Sequence, residues 1–331
     1  MLIMSCPCAT VLAASTAVSA AIHNAARRQI LVKGGVYLER VGEADTYCFD
    51  KTSTITTEEP EIVGIVGEDE AELLRWAACA ELHNPHALAS AVSARAAALG
   101  IEPEPPDMSK HILGQGVRAR IQDHDILLGN RRMMRDARID VSRYIGDAQR
   151  MIAQGQTAVY VAGDGRLMGV MGVSHRLRPG TQSVLDQLRA SGVRRMVLIS
   201  GDERPVAEAL SSQLGLDACH AGLLPEEKAQ HVNELRRESG MLVMVGDGVN
   251  DALALSEADI GIAMGAGGSE VAIEVADIAL ADSDVRSLVY VRGLSRATRR
   301  VAEQNHWLAI GTDLAGAALG AMGWLSPATG D

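Results

Sequence analysis

The chain has 331 residues, enough for two or more domains, with a net charge of -11 and aromatics at 3%. That acidic balance leaves no basis for a nucleic-acid surface and suits a solvated face. Five cysteines, two of them in Cys6-Pro7-Cys8 and the rest scattered, form no secreted disulfide framework and fit a reducing compartment.

Residues 1 to about 22 carry no charged side chain, near the ~20 residues a membrane helix needs. No positive charge precedes the run, so it does not read as a signal peptide. Its Ala, Ser and Thr content suits helix packing in a bilayer; a buried helix and a truncated span are the alternatives. Within it, Pro7 removes an amide donor and opens the helix, leaving Cys6 and Cys8 as soft ligands for ions such as Cu(I) or Zn²⁺. Two buried apolar cysteines beside a kink are the bland reading.

Asp50-Lys51-Thr52-Ser53-Thr54 follows the apolar stretch Tyr47-Cys48-Phe49. A carboxylate at a strand end, then a turn of hydroxyls and amides, is where an open α/β sheet places a nucleophile and a phosphate cradle. From Thr57 to about Gly163 the chain has its own organisation. Leu73, Leu74, Ala77 and Ala78 recur at helical spacing, and a second helix runs through Leu99. Pro103-Glu104-Pro105-Pro106 reads as a loop, and Gly114-Gln115-Gly116-Val117 leads into alternating strands ending at Leu127-Leu128-Gly129-Asn130.

Three further elements follow. Ser200-Gly201-Asp202 succeeds the strand-like run Met196-Val197-Leu198-Ile199 and offers a hydroxyl and amides to a phosphoryl oxygen. Lys228 opens a helix and can neutralise charge on a transferring group. Gly246-Asp247-Gly248-Val249-Asn250-Asp251 succeeds the buried run Met241-Leu242-Val243-Met244-Val245, with two carboxylates four residues apart, as at a Mg²⁺ site shared with phosphate. A last apolar run from about Trp307 to Leu325 is interrupted only by Asp313. Inside a membrane an ionisable group there, and Asn305 before it, would be functional.

The order of these elements resembles the haloacid dehalogenase superfamily, and Asp50-Lys51-Thr52-Ser53-Thr54 resembles the Asp-Lys-Thr-Gly-Thr signature of P-type ATPases. With Cys6-Pro7-Cys8 and Lys33-Gly34-Gly35 upstream, the chain is similar over nearly its whole length to the catalytic part of the heavy-metal-transporting (CPx) group. That resemblance implies an α/β fold. A haloacid-dehalogenase-like Rossmannoid phosphorylation domain (25–56 and 164–290) would carry an inserted α+β nucleotide-binding domain (57–163). Partial transmembrane helices would lie at 1–24 and 305–325.

It also implies a membrane location, bacterial plasma membrane with cytoplasmic catalytic domains, in contact with lipid. ATP would lie against Glu81, His86, Gly114 and Gly116, and Mg²⁺ on Asp50, the Thr52 carbonyl and Asp247. Asp50 would take the phosphoryl group, with Lys51, Thr52, Thr54, Ser200, Gly201, Asp202, Lys228, Asn250 and Asp251 completing the catalytic set. The transported ion, of the zinc, copper or manganese class, would meet Cys6, Cys8, Asn305 and Asp313. The pattern is similar to actinobacterial manganese- or zinc-linked exporters.

Departures from the family pattern are as informative. Ser53 replaces a glycine, Ala87 replaces the proline after His86 and makes His83 a rival, and Ser200 replaces threonine. His175-Arg176-Leu177-Arg178-Pro179 stands where the family has Asp-x-x-Arg-Pro. There is no Thr-Gly-Glu, so an actuator domain and further membrane helices are expected as missing partners, upstream or on a separate chain. The expectation for the chain alone is phosphorylation without efficient dephosphorylation. Other readings are a soluble phosphatase of the superfamily, which Thr52 argues against because a second acid belongs there, and a decayed nucleotide-binding remnant.

Overall fold

The computed structural model describes residues 8–82, 84, 87–112, 114–248, 250–265 and 270–322. In chain order, α1 (Cys8–Ala26), β1 (Ile30–Val32), α2 (Gly35–Val41) and β2 (Thr46–Asp50) lead into an irregular turn, Lys51–Ile55. Next come β3 (Thr56–Gly67), α3 (Glu70–Glu81), α4 (Ala87–Ala98), β4 (Met108–Ile112), β5 (Gly116–Ile121), β6 (His124–Gly129), α5 (Arg131–Asp136), α6 (Ile145–Ala153), β7 (Thr157–Gly163) and β8 (Arg166–Leu177). The chain then alternates: α7 (Thr181–Ala190), β9 (Arg195–Ile199), α8 (Arg204–Leu214), β10 (Ala218–His220), α9 (Pro225–Glu238), β11 (Leu242–Gly246), α10 (Ala252–Glu257), β12 (Ile260–Met264), α11 (Glu270–Val275), β13 (Ile278–Leu280) and α12 (Arg286–Ala321).

These strands make a seven-stranded sheet in the order β1-β13-β12-β11-β2-β9-β10 and a six-stranded sheet in the order β3-β8-β7-β6-β5-β4. In the first, β11 with β12, β12 with β13 and β9 with β10 are parallel, and β1 returns antiparallel on β13. Every residue of β2, β11 and β12 is buried, as crossover helices on both faces of a parallel sheet require. That is why these segments read in sequence as short continuous apolar runs.

The six-stranded sheet is antiparallel throughout, and the pleat sends alternate side chains to two separate cores. Leu128, Val159 and Val161 face Leu73, Leu74, Ala77 and Ala78 of α3 and Val92 and Ala96 of α4. Leu127, Tyr160 and Ala162 face Met133, Met134, Ala148 and Met151 on the other side. The helical spacing expected around Leu73 is therefore the buried stripe of α3, whose N-terminus is capped by Asp69 Oδ1 accepting from Glu72 N at 3.0 Å.

Contact density divides the chain into two compact units, Met1–Cys48 with Gly180–Arg195 and Pro225–Asp331, and Phe49–Pro179 with Met196–Leu224. Within the first, α1 packs along α12, and α9 and α10 cover β11 and β12. Arg292 of α12 is 2% exposed. It donates to Val41 O (3.2 Å), Ala44 O (2.8 Å), Ser191 Oγ (2.7 Å) and Ser191 O (3.2 Å), tying α12 to the ends of α2 and α7. Planarity and several donors make arginine suited to such a junction.

Among the described residues no helix is long and apolar enough to cross a membrane. The 19 residues of α1 owe their apolarity mostly to alanine and include Ser15, Thr16, Ser19, His23 and Asn24. The 36 residues of α12 run unbroken from a charged first half into the apolar run that begins at Trp307. Cys6, Pro7 and residues 323–325, which belong to the two expected spans, lie outside the described residues.

Candidate active site

Asp50 is the last residue of the wholly buried β2 and is itself 3% exposed. The chain reverses directly after it. Thr52 is extended (φ -76°, ψ 133°) and Ser53 is left-handed (φ 61°), the conformation that the glycine expected there would take without cost. What holds a serine in it is Arg178. Its Nη2 donates to Ser53 O at 2.7 Å and its Nε to Thr54 O at 2.9 Å, while its own amide donates to Ile55 O at 2.9 Å. Thr56 Oγ1 adds a 2.9 Å bond to Lys51 O. The sequence named Arg178 only as part of a departing motif; its role lies in the arginine that the departure leaves in place.

Lys51 is 6% exposed, and its ammonium pairs with Asp202. Asp202 follows β9 in the Ser200-Gly201-Asp202 turn, where its amide donates to Ser200 Oγ at 3.1 Å. Ser200 is buried, its amide held by His220 O at 2.9 Å. Beside Lys51 stands His175, which burial and the Lys51 charge hold below the usual imidazole range while Asp202 acts in the opposite sense. Cys48, two residues before the strand end, is no nucleophile: burial pushes its thiol up to about 12.

In the other unit, Lys228 Nζ of α9 lies 2.7 Å from Asp251 Oδ1, with side-chain exposures of 11% and 0%. Asp251 Oδ2 is buried with no hydrogen-bond partner among the described residues. Burial raises this carboxyl above the ordinary range, against the pull of Lys228, and the charge of Asp247 adds to the rise. Asp247 accepts from Asn250 N (2.9 Å) and Asn250 Nδ2 (2.7 Å), so Asn250 orients a half-buried carboxylate at the end of β11. The structure thus joins Lys51 to Asp202, Lys228 to Asp251 and Asn250 to Asp247.

For the nucleotide residues, Glu81 ends α3 with 2% exposure and accepts from Asn84 Nδ2 at 2.9 Å. His83 and His86 lie outside the described residues. Gly114 (φ 69°) and Gly116 (φ 148°) shape the turn into β5. A Cβ on Gly116 would meet Leu128 O at 2.1 Å, so the approach of β6 alone requires this glycine. Asn130, missed in the sequence, holds that turn by donating to Gly114 O (2.9 Å) and Gln115 O (2.9 Å), and it caps α5 by accepting from Met133 N (3.1 Å). A Gly-Asn pair before a short helix was the available signal.

Cys8 is the first residue of α1, and Cys6 lies outside the described residues. Asn305 is half-buried and Asp313 exposed, both on α12. Among the described residues no group of three His, Cys, Asp or Glu side chains is placed to hold a metal ion.

A family profile described as "Hydrolase: haloacid dehalogenase-like hydrolase" matches residues 44–259. The chain is 40% identical to a manganese-exporting P-type ATPase of Mycobacterium leprae over 99% of its own length and 46% of that protein's. It is 39% identical to a zinc-exporting P-type ATPase of Mycobacterium marinum, with 99% and 45% covered. The crystal structure of a zinc-transporting PIB-type ATPase in the E2.Pi state superposes with a TM-score of 0.85 at 34% identity, over 98% of this chain and 53% of that one. The chain thus spans about half the length of the curated relatives it matches.

Proposed function

Because the chain belongs to the haloacid dehalogenase-like hydrolase family, we propose that it is the phosphorylated part of a metal-exporting P-type ATPase, in which Asp50 accepts the γ-phosphoryl group of ATP. The observation that carries this reading is the built turn after Asp50: a buried carboxylate at a strand end, a left-handed Ser53, and Arg178 fixing two successive carbonyls of the turn. A turn held this closely fixes the nucleophile before substrate arrives.

Each other group has a task in that chemistry. The Asp50 carboxylate attacks the γ-phosphorus in line while ADP leaves, and Lys228, together with the hydroxyl and amides at Ser200-Gly201-Asp202, balances charge on the equatorial oxygens. Lys51 and Thr54 keep the turn in register, and Asn250 and Asp251 orient Asp247 and Lys228. Asp50, the Thr52 carbonyl and Asp247 each offer a hard oxygen donor of the kind Mg²⁺ takes; bound Mg²⁺ would neutralise phosphate charge. Glu81, His86, Gly114 and Gly116 are assigned to adenine and ribose by resemblance.

The exported ion is of the manganese, zinc or copper class, the cargoes named for relatives at 40%, 39% and 36% identity. Cys6 and Cys8, with Asn305 and Asp313, are its proposed ligands. Pumping would call on an actuator domain and a set of membrane helices as partners of these units, with the catalytic units on the cytoplasmic side of a bacterial plasma membrane.

The test is incorporation of label from γ-labelled ATP with Mg²⁺ and each metal in turn. The expected product is a hydroxylamine-labile phosphoenzyme, absent in Asp50→Asn. Label that survives Asp50→Asn, or nucleotide binding without label under every metal, overturns the reading.

A further inference from the structure

We propose that His175 is a positioning residue for the Lys51–Asp202 pair, and that its protonation loosens the turn after Asp50, so that phosphorylation fails in mild acid. The inference rests on the phosphorylation reading above but concerns a residue to which that reading gives no task.

His175 lies on β8 opposite Pro60 of β3. Its half-buried ring shares the wall of a cavity of about 280 Å³ with Lys51, Gln154, Thr157 and Gln213. Two charges and a titratable ring meet here: the Lys51 ammonium and the imidazole line the cavity, and the Asp202 carboxylate is paired with Lys51. The charged neighbours on the adjoining strands are engaged elsewhere. Arg176 pairs with Glu61 at 2.6 Å, and Arg178 is bound to the carbonyls of Ser53 and Thr54 and feels Glu58.

Asp202 is therefore the carboxylate that a protonated His175 would turn to. A neutral ring leaves Lys51 its counter-ion. A charged ring sets two cations against one carboxylate, where Lys51 is buried from water and Asp202 is only partly exposed. Lys51 is joined covalently to Asp50, so displacement of its side chain is transmitted directly to the nucleophile's own turn. An acid at position 175, as the resembled pattern has, would favour the Lys51 cation at every pH; histidine makes the support conditional on deprotonation.

Two measurements on the full chain test this. The first is the NMR titration of the His175 ring, assigned with His175→Gln, in the wild type, Lys51→Met and Asp202→Asn. Lys51→Met should move its titration to higher pH and Asp202→Asn to lower pH. The second is the pH profile of label uptake. The wild-type rate should fall by about tenfold per pH unit once the ring is mostly charged, while both His175→Gln and His175→Asp should flatten that limb.

A titration indifferent to Lys51→Met and Asp202→Asn overturns the inference whatever the label does, as does a His175→Gln profile parallel to the wild type. Coupled titration in a chain that takes no label at any pH supports the coupling and instead refutes the phosphorylation reading. Circular dichroism of each variant at neutral pH separates a lost fold from a lost coupling, and His175→Asp and His175→Gln offer two independent replacements.

Discussion

Each of the two compact units holds a lysine against an aspartate, and the two pairs are built differently. Lys228–Asp251 is sealed, with 11% and 0% of the side chains exposed and one carboxylate oxygen left without a partner among the described residues. Lys51–Asp202 is sealed on the lysine side and at Asp202 Oδ2, the oxygen that faces Lys51, but leaves the Asp202 side chain 29% exposed overall, beside a cavity that Lys51 and a titratable ring line. A sealed pair fixes two backbones at the cost of dehydrating both charges; an open pair costs less and can respond to its surroundings. The first suits a fixed cation for charge neutralisation, the second a support that can be adjusted.

The largest expected effect breaks the sealed pair. Lys228→Met leaves the Asp251 carboxyl buried without its cation, which destabilises by roughly 3–5 kcal/mol, while Lys228→Met with Asp251→Leu recovers most of that because no orphaned charge remains. Urea unfolding of the single and double variants measures both. If the double variant is no more stable than Lys228→Met, the cost lies in packing rather than in the buried charge.

Next is the clamp on the turn after Asp50. Arg178→Ala takes the donors from Ser53 O and Thr54 O in a part-buried setting, which costs roughly 1–3 kcal/mol. Label uptake should drop by more than nucleotide binding does, since the turn and not the nucleotide loses its support. A parallel drop in both would place Arg178 in nucleotide binding instead.

These two positions also mark where sequence reading succeeds and where it stops. The strand-end motifs were legible because β2, β9 and β11 are short buried apolar runs that stop at a turn, and α3 because Leu73, Leu74, Ala77 and Ala78 recur on one face. The left-handed Ser53 could be suspected from the glycine it replaces. What holds it could not, since Arg178 reaches carbonyls 124 and 125 residues earlier in the chain. Arg292 was hidden in the same way: its partners are mostly backbone oxygens at the ends of other elements. Gly116 carried a signal with two causes, and the approach of β6 is sufficient.

The open pair should be cheaper to break. Lys51→Met leaves behind a carboxylate that is 29% exposed but whose Oδ2 is buried, so stability should fall by less than in Lys228→Met, while Asp202→Asn, which strands the buried Lys51 ammonium, should cost more than Lys51→Met in the same assay. A loss as large as that of Lys228→Met would show that Asp202 is dehydrated in solution and that the contrast between the two pairs is false.

The smallest expected effects are two opposed pH slopes, one from each unit. Asp251 is raised above its ordinary 3.8 by burial, so between that value and its folded one the native state binds the extra proton, and this group's contribution to stability is lost as pH rises through the window. His175 is lowered below its ordinary 6.5 by burial and by Lys51, so in the window beneath 6.5 the unfolded chain binds the extra proton, and its contribution is lost as pH falls. The wild type should show a shallow acid limb in which the two partly cancel. Asp251→Asn removes the term that favours acid and should steepen the fall toward low pH; His175→Gln removes the opposite term and should flatten it. Urea midpoints across this range separate them, and curves for the two variants that bend the same way would mean that one of the two groups is not held where burial places it.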